Sequence, residues 1–321
     1  MRLYLVRHGE SVDNVAGLYA GARDSSLTTH GMLQVRRLGA HLAAADDGGI
    51  ITHIFSSDLQ RASATAAAIL DALPDDETDR DGKRDGGVDR PGSPAHAVAV
   101  VKVADLRERD FRSAEGMRFG RSSGSSAGVS DGDGTGSRNA AFADAESREA
   151  MRVRADRFVE THLSPLLHAD AAERRPVDVV VVVVAHGIIL NVLLSSLLQR
   201  FAPAELARLA AKTAVARPSE SQRSRQGELS VPWSNTGYLA LTVDGTQGGG
   251  DEADAEVGTA PALARGFRVR VTAVNCTDHL QGLKRTRGGI GSAAFDAKQR
   301  TMDAFFGPAA KRQKKAGDGT A

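Results

Sequence analysis

The sequence predicts an α/β protein that is built around a mostly parallel β-sheet. Short runs of β-branched residues alternate with longer segments in which apolar residues recur every three or four positions. This alternation is typical of parallel strands that are connected by crossover helices. The most apolar run, 177–185, contains Asp178 and is about half as long as a membrane-spanning helix, so it predicts a buried strand. Strand patterns change to helix patterns just after residues 7–9, 56–58 and 185–187.

The sequence pattern predicts six strands and five helices. Six strands are predicted by short apolar, β-branched runs at 3–6, 53–56, 98–104, 179–184, 238–243 and 268–274. Five helices are predicted by apolar residues at three- and four-residue spacing at 31–45, 60–73, 145–168, 188–201 and 204–211. Trp233 is expected to pack at the start of the strand 238–243.

Several segments break this pattern and predict flexible insertions. They are rich in Gly, Ser, Asp or Arg and poor in large apolar residues, so they cannot bury enough surface to offset their ordering entropy. They lie at about 74–94, 120–138, 217–229 and 245–261. The end of the chain, 281–321, is glycine-rich and then basic, which predicts a largely disordered tail. We therefore expect one domain over residues 1–280, followed by this tail.

The charge balance narrows the possible classes of protein. The 41 basic and 40 acidic side chains nearly cancel, which argues against a protein that coats nucleic acid, and direct nucleic-acid binding is not expected beyond the basic tail. The single cysteine, Cys276, excludes an internal disulfide and favours a reducing compartment. No signal peptide or membrane segment is predicted, so the sequence favours an intracellular protein that does not bind membranes.

Four predicted turns carry side chains that suit phosphate chemistry. The sequence LVRHGES places Arg7 beside His8 at the end of the first strand, and SSDLQRASATA places Arg61 one helical step after Asp58. His186 follows the buried strand, and Glu108 follows the strand 98–104. Because ligands bind beyond the carboxyl ends of parallel strands, we expect these side chains to converge there. The helices that begin just after residues 56–58 and 185–187 point their N-termini at the same place and add partial positive charge there.

These residue types suggest a separate chemical role for each side chain in phosphoryl transfer. The two guanidiniums, Arg7 and Arg61, can hold phosphate oxygens in a bidentate manner, and a protonated His186 can stabilise charge as the phosphoryl group moves. His8 remains as the nucleophile, and Glu108 can protonate the leaving oxygen because a neighbouring phosphate favours its neutral form. Glu115 is the other candidate for this general acid, but its later position in the chain predicts a structural role. The sequence has no cluster with metal-ligand spacing and no P-loop, so no metal or other cofactor is expected.

Over roughly residues 1–275 the chain resembles the histidine phosphatase superfamily, the phosphoglycerate mutase-like group. The resemblance is carried, in family order, by LVRHGESVDN, GARDSSLTTHG, FSSDLQRASATA, LRERDFRSAEG, AHGIILNVLL and WSNTGYLAL. It implies a three-layer α/β/α sandwich, a covalent phosphohistidine on His8, a phosphate pocket of Arg7, Arg61 and His186, and Glu108 as proton donor. It further implies polar contacts from Asn14 and Ser57, a rim shaped by Gly21 and Thr28, and substrate contact at Gly187.

The activity that the resemblance implies is phosphomonoester hydrolysis of the histidine acid phosphatase type. Its substrate would be a phosphorylated small molecule or a phosphoprotein. Arg112 and Ala114 depart from the family pattern before the Glu115-Gly116 pair, and the segment 120–138 replaces the longer substrate-contact insertion of phosphoglycerate mutases. A phosphatase is therefore favoured over a mutase-type phosphotransferase. A third alternative is a nuclear scaffold or transcription-factor-associated subunit that uses this fold as a binding module, as certain fungal proteins of this type do.

The tail contains a second resemblance. Residues 299–306 are QRTMDAFF, in which Gln299, Met302, Phe305 and Phe306 have the spacing of peptides that bind the sliding clamp, the proliferating-cell nuclear antigen. In that family one 3₁₀ turn directs the methionine and both aromatic rings into a single apolar pocket. The following KRQKK at 311–315 suits a nuclear import signal. The tail therefore predicts a fungal-type nuclear protein with the sliding clamp as a partner, located in the nucleus, the cytoplasm or both.

Overall fold

The six predicted strands form one sheet. A computed structural model describes residues 1–44, 49–74, 98–119, 142–172, 178–215, 229–245, 267–285 and 289–296. The strands are β1 (Arg2–Arg7), β2 (Gly49–Ser56), β3 (Val100–Lys102), β4 (Asp178–Ala185), β5 (Tyr238–Gly245) and β6 (Phe267–Cys276), in the spatial order β3-β2-β4-β1-β5-β6. Neighbours from β3 to β1 pair in parallel, and β5 runs antiparallel to both of its neighbours, β1 and β6. The predicted α/β class with a mostly parallel sheet is confirmed.

The strand register brings three turns to one edge of the sheet. Strand β4 lies between β1 and β2, and its last residues pair with theirs, Ala185 with Arg7 and Val184 with Ser56. Just beyond the strands, the amide of His8 donates to the carbonyl of Ala185 at 3.0 Å, and the amide of Ser57 donates to that of Val184 at 2.9 Å. The chain segments that follow β1, β2 and β4 therefore start side by side.

The helices cover both faces of the sheet. They are α1 (Val12–Ala16), α2 (Thr29–Ala43), α3 (Gln60–Leu70), α4 (Arg148–Phe158), α5 (Ser164–Ala172), α6 (Gly187–Phe201), α7 (Pro203–Val215) and α8 (Gly289–Ser292). The segment predicted as one helix over 145–168 has a π-helical turn, Val159–Leu163, between α4 and α5. Strand β3 is shorter than predicted because it pairs with β2 over three residues only and then enters a 3₁₀ turn, Ala104–Leu106.

Alternate side chains of β4 enter two separate cores. Val181 and Val183 pack in the core that includes Phe158 of α4 and Leu193 of α6. Val180, Val182 and Val184 pack in the other core, whose helical members include Leu38 of α2 and Ile69 of α3. Because successive side chains of a strand point to opposite faces, a strand that is buried on both sides needs the continuous valine run seen here. The architecture is a three-layer α/β/α sandwich, as expected.

The folded part of the chain continues past the predicted start of the tail. The amide of Phe295 donates to the carbonyl of Leu27 at 2.9 Å, the amide of Thr29 donates to that of Ala293 at 3.0 Å, and Arg285 forms an ion pair with Glu10 at 3.1 Å. Backbone pairing thus holds residues 293–295 beside the start of α2, and an ion pair holds Arg285. The largely disordered tail expected over 281–321 stays a prediction.

The predictions about flexible insertions and about the clamp-binding peptide concern residues that the structure mostly does not describe. Apart from their ends, the four predicted insertions lie outside the described residues, as does the peptide 299–306. Within the described part of the chain, every helix is too short or too polar to cross a membrane.

Candidate active site

The edge of the sheet where β1, β2 and β4 end opens into a cavity of about 510 Å³. Five of the residues that line it are those assigned to chemistry from the sequence: Arg7, His8, Arg61, Glu108 and His186. They come from four segments of the chain. The strand register described above accounts for the three segments that follow β1, β2 and β4, and Glu108 follows β3, which pairs in parallel with β2.

His8 is oriented by the backbone that follows it. Its ring is almost fully buried, and Nδ1 lies 2.7 Å from the carbonyl oxygen of Gly9. Because a carbonyl oxygen can only accept, Nδ1 must carry the proton, which leaves Nε2 of the neutral ring with a free lone pair. Burial, together with the guanidiniums of Arg61 and Arg7, lowers the pKa of His8 well below 6.5. A neutral imidazole with a free Nε2 is the form that a nucleophile requires.

The guanidiniums of Arg7 and Arg61 are held by backbone carbonyls. Arg61, which is 1% exposed, donates to the carbonyls of Arg23 at 2.6 Å and Gly21 at 2.7 Å. Arg7 donates to the carbonyl of Trp233 at 2.5 Å. In both residues the buried Nε has no hydrogen-bond partner among the described residues. Burial lowers the pKa of each arginine and the nearby Glu108 carboxylate opposes this, but a guanidinium stays charged under ordinary conditions.

His186 precedes the first turn of α6 and faces His8, with ring centroids 5.0 Å apart. Neither of its buried ring nitrogens has a hydrogen-bond partner among the described residues. Burial and the charges of Arg61 and of neighbouring groups lower the pKa of His186 well below 6.5. The protonated form expected from the sequence therefore requires a bound anion that offsets the positive charge around the ring.

Glu108 lies against the N-terminus of α6. One carboxylate oxygen accepts from the amide of Ile188 at 3.1 Å, and the other accepts from the amides of Ile189 at 3.2 Å and Arg109 at 2.8 Å. The helix amides thus hold the carboxyl group at the cavity wall, next to His186.

The expected accessory residues divide into two groups. Asn14, Gly21 and Gly187 line the cavity. Thr28 and Ser57 are outside its described lining, and the rim contact expected of Thr28 and the phosphate contact expected of Ser57 stay predictions. Thr28 instead caps α2: its hydroxyl accepts from the amide of Gly31 at 2.9 Å and donates to the Glu10 carboxylate at 2.9 Å. The Ser57 hydroxyl accepts from the amide of Leu59 at 3.3 Å.

Glu115 supports the loop that carries Gly21. Its carboxylate accepts from the amides of Ala22 at 2.6 Å and Phe111 at 3.3 Å, and it is outside the described cavity lining. Gly21 has φ of +52°, and a Cβ at this position would lie 2.2 Å from the Glu115 carboxylate oxygen. The position therefore requires glycine both for its backbone conformation and for this close approach.

Sequence reasoning missed part of the cavity wall. Trp233 lines the cavity, whereas only packing at the start of β5 was expected. Its indole N–H donates to the side-chain oxygen of Asn191 at 3.0 Å, and the same oxygen accepts from the amide of Val231 at 2.9 Å. Asn191 lies one turn into the predicted helix 188–201, where a polar residue among apolar ones was the available signal.

Comparison with known proteins agrees with this arrangement. The family model described as histidine phosphatase superfamily (branch 1) matches residues 3–82 and 91–226. A Schizosaccharomyces pombe protein described as a probable phosphatase is 28% identical over 303 residues, which cover 94% of this chain and 78% of that protein. A probable phosphoglycerate mutase, GpmB, of Erwinia tasmaniensis is 28% identical over 76% of this chain and 92% of its own length.

A solved structure gives the same fold. The native structure of mycobacterial glucosyl-3-phosphoglycerate phosphatase superposes with a TM-score of 0.50 at 20% identity, covering 85% of this chain and 98% of that one. The family match spans well over half of the chain and includes the segments that carry Arg7, His8, Arg61, Glu108 and His186. This chain belongs to the histidine phosphatase superfamily.

Proposed function

We propose that the protein hydrolyses phosphomonoesters through a covalent phosphohistidine on His8. The observation that carries this proposal is a set of four buried nitrogens without partners among the described residues: Nε of Arg7, Nε of Arg61 and both ring nitrogens of His186. An unpaired buried polar atom is costly, so four around one cavity favour a ligand that supplies several acceptor oxygens. A phosphoryl group has that chemistry, and the free Nε2 of His8 borders the same cavity.

The first half-reaction follows from these positions. Arg7, Arg61 and His186 bind the phosphoryl oxygens, and the lone pair of His8 Nε2 attacks phosphorus. The bond between phosphorus and the ester oxygen breaks, and Glu108, in its protonated form, gives its proton to the leaving oxygen. The alcohol departs, and the phosphoryl group stays on Nε2.

Water completes the cycle. The Glu108 carboxylate accepts a proton from water while the water oxygen attacks phosphorus, and the P–N bond breaks. Orthophosphate leaves, His8 is again neutral, and Glu108 is again protonated. The same carboxyl group thus acts first as an acid and then as a base.

Hydrolysis is preferred to the two alternatives. The relative that matches 94% of the chain is described as a probable phosphatase, whereas a mutase would have to return the phosphoryl group to a second hydroxyl. A scaffold would have no use for buried, unpaired nitrogens around a nucleophile. Incubation with 3-phosphoglycerate, followed by ³¹P NMR, tests for mutase action: a mutase would form the 2-phospho isomer, and the proposed phosphatase should form none.

The test of the proposal is replacement of His8. Wild-type protein should release phosphate from 4-nitrophenyl phosphate and, when quenched in base, retain a label from ³²P-substrate that is labile in acid, as expected of a phosphoramidate. His8→Asn should lose both signals while binding inorganic phosphate. Hydrolysis by His8→Asn at the wild-type rate would overturn the assignment.

We further propose that the tail recruits this phosphatase to nuclear sites of DNA replication or repair. The support is the sequence of residues 299–306, with Gln299, Met302, Phe305 and Phe306 at the spacing of clamp-binding peptides. Wild-type protein should bind purified sliding clamp, and the double variant Phe305→Ala, Phe306→Ala should not. Equal binding by the two proteins would remove the clamp from the proposal.

A further inference from the structure

Aromatic side chains from three segments form a cluster at the cavity. The Tyr19 ring lies between those of Phe111, Phe119 and Phe142, with centroid distances of 5.0, 4.5 and 5.1 Å. Tyr19, Phe111 and Phe119 line the cavity, and Phe119 is 55% exposed. Only 4% of the chain is aromatic, so this concentration is not a by-product of composition. An exposed ring that is held by others offers a ready stacking surface.

Further apolar surface comes from the segment before β5. Val231, Pro232 and Trp233 line the cavity, and the indole is fixed in orientation by its hydrogen bond to Asn191. The carbonyl of Trp233 accepts from Arg7, which ties this apolar surface to the phosphate-binding end of the cavity. A group attached to a bound phosphate would therefore reach apolar side chains directly.

The charged side chains of the described cavity wall are all ones that we assign to the phosphoryl group and its leaving oxygen. In the part of the lining that the structure describes, the charged residues are Arg7, Arg61 and Glu108. Apart from His8 and His186, the remaining polar side chains of the described wall are uncharged: Asn14, Tyr19, Asn191, Ser230 and Trp233. Beyond Arg7 and Arg61, a second anionic group on the substrate would find no cation in the described lining to replace its lost hydration, and its desolvation would oppose binding.

We infer that the preferred substrates are phosphomonoesters of uncharged alcohols that carry an aromatic ring or a comparable flat apolar group. This inference rests on the proposed phosphatase function and adds the substrate class. The phosphoryl group binds the two arginines and His186, and the ring stacks on the surface formed by Tyr19, Phe119 and Trp233. Small carboxylate-bearing esters such as phosphoglycerates gain nothing from that surface.

Binding can be measured apart from catalysis, because Trp233 is the chain's one tryptophan and lines the site. Its fluorescence should report titration with 2-phenylethylphosphonate, ethylphosphonate and 3-phosphonopropionate, none of which can be hydrolysed. We expect the phenyl compound to bind about ten- to a hundredfold more tightly than ethylphosphonate. The carboxylate compound should bind no more tightly than ethylphosphonate.

The variant Phe119→Ala removes the exposed ring and should reduce the affinity ratio of phenyl to ethyl compound by about two- to tenfold. Leu33→Ala removes a comparably exposed apolar side chain on α2, away from the cavity, and should leave the ratio unchanged. Equal affinities for the phenyl and ethyl compounds, tighter binding of the carboxylate compound, or a ratio unaffected by Phe119→Ala would overturn the inference.

Turnover separates the two claims. With 2-phenylethyl phosphate and ethyl phosphate, whose leaving alcohols are both ordinary alkanols, the kcat/KM ratio should follow the affinity ratio of the phosphonates. If neither ester is hydrolysed while the phosphonate ratio holds, the phosphatase proposal fails and the binding preference stands. If both are hydrolysed at equal kcat/KM, the phosphatase proposal stands and the substrate class fails.

Discussion

At the scale of single residues, the site depends on histidines that are kept neutral. The rings of His8 and His186 are buried beside two guanidiniums, which lowers the pKa of each histidine well below 6.5. Neutrality suits His8, since a protonated ring has no lone pair for phosphorus. His186 is neutral in the protein without a ligand, so its protonation would require the negative charge of a bound phosphate.

Stability should therefore fall as the pH falls below about 6.5. In that range the unfolded chain protonates histidines that the folded protein keeps neutral, so the unfolded state binds more protons. The free energy of unfolding should decrease by about 1.4 kcal/mol per pH unit for each such histidine, until the folded pKa is reached. Urea unfolding of wild type and His186→Gln at pH 7.5, 6.5 and 5.5 measures this. A variant slope as steep as that of wild type would contradict the expectation.

Arg61 should be essential for turnover. Removing one charge-stabilising ligand of a transferring phosphoryl group costs about 10²–10³ in kcat, which is the loss expected for Arg61→Ala. The exposed Arg268 on β6 supplies the matched control, because Arg268→Ala removes the same side chain outside the cavity lining. Steady-state kinetics with 4-nitrophenyl phosphate gives the comparison. A kcat within fivefold of wild type for Arg61→Ala would exclude its role.

At the scale of elements, helix α4 positions the loop that carries Glu108. The guanidinium of Arg154 donates to the carbonyls of Asp105 and Arg107, each at 2.6 Å. It also forms a two-pronged ion pair with Glu146, at 2.8 and 2.9 Å. Glu146 in turn accepts from the amide of Asp110 at 3.2 Å. One partly buried arginine thus connects the helix to both sides of Glu108, and we predict that it acts on catalysis through that residue.

Arg154→Met should impair the acid step more than phosphate binding. With a misplaced Glu108, kcat should fall about tenfold more for alkyl than for 4-nitrophenyl phosphate, because nitrophenolate leaves without protonation. Glu108→Gln gives the largest difference between the two substrates that loss of the acid can cause. Arg152→Met, on the exposed side of the same helix, is the control. Loss of this partly buried ion pair and its carbonyl hydrogen bonds should also cost about 1–3 kcal/mol of unfolding free energy. A destabilised variant with equal losses on both substrates would indicate a purely structural role.

At the scale of the whole molecule, the sheet, two helical layers and a returning C-terminal segment form the body that presents the cavity. Residues 289–296 lie beside the start of α2, where Ala294 bridges Thr28 and Arg36 approaches the Phe295 ring at 5.9 Å. Thr28 also donates to Glu10, two residues after His8, so this segment supports the loop that follows His8.

Ending the chain after Arg285 should therefore lower stability relative to a chain that ends after Asp296. The shorter protein loses two backbone hydrogen bonds and the Phe295 contact, for which we expect about 1–3 kcal/mol in unfolding free energy. Urea unfolding of the two truncated proteins and the full chain isolates this segment from the residues beyond 296. Identical midpoints for the two truncated proteins would show that the contacts contribute nothing.

Much of this architecture was predictable because its determinants are local. A valine run buried on both faces, helices with regular apolar spacing, and charged residues just after strand ends are properties of short segments. The six strands and the convergence of Arg7, His8, Arg61, Glu108 and His186 followed from these patterns and from the rule that parallel strands share a carboxyl edge. The shortened β3 and the π-helical turn in 145–168 did not, because each depends on what packs beside it.

What the sequence by itself determined is the fold class, the family and the residues able to carry phosphoryl chemistry, since each is encoded in contiguous motifs. Only the tertiary structure decided that Thr28 and Ser57 serve helices and turns, that Glu115 supports Gly21, and that Arg154 supports Glu108. It likewise brought Tyr19, Phe119 and Trp233 to one wall. The physical reason is that a hydrogen bond or a ring contact depends on distance in space. Partners such as Ala22 and Glu115, 93 positions apart, or Arg107 and Arg154, 47 positions apart, meet only after the sheet has set their places.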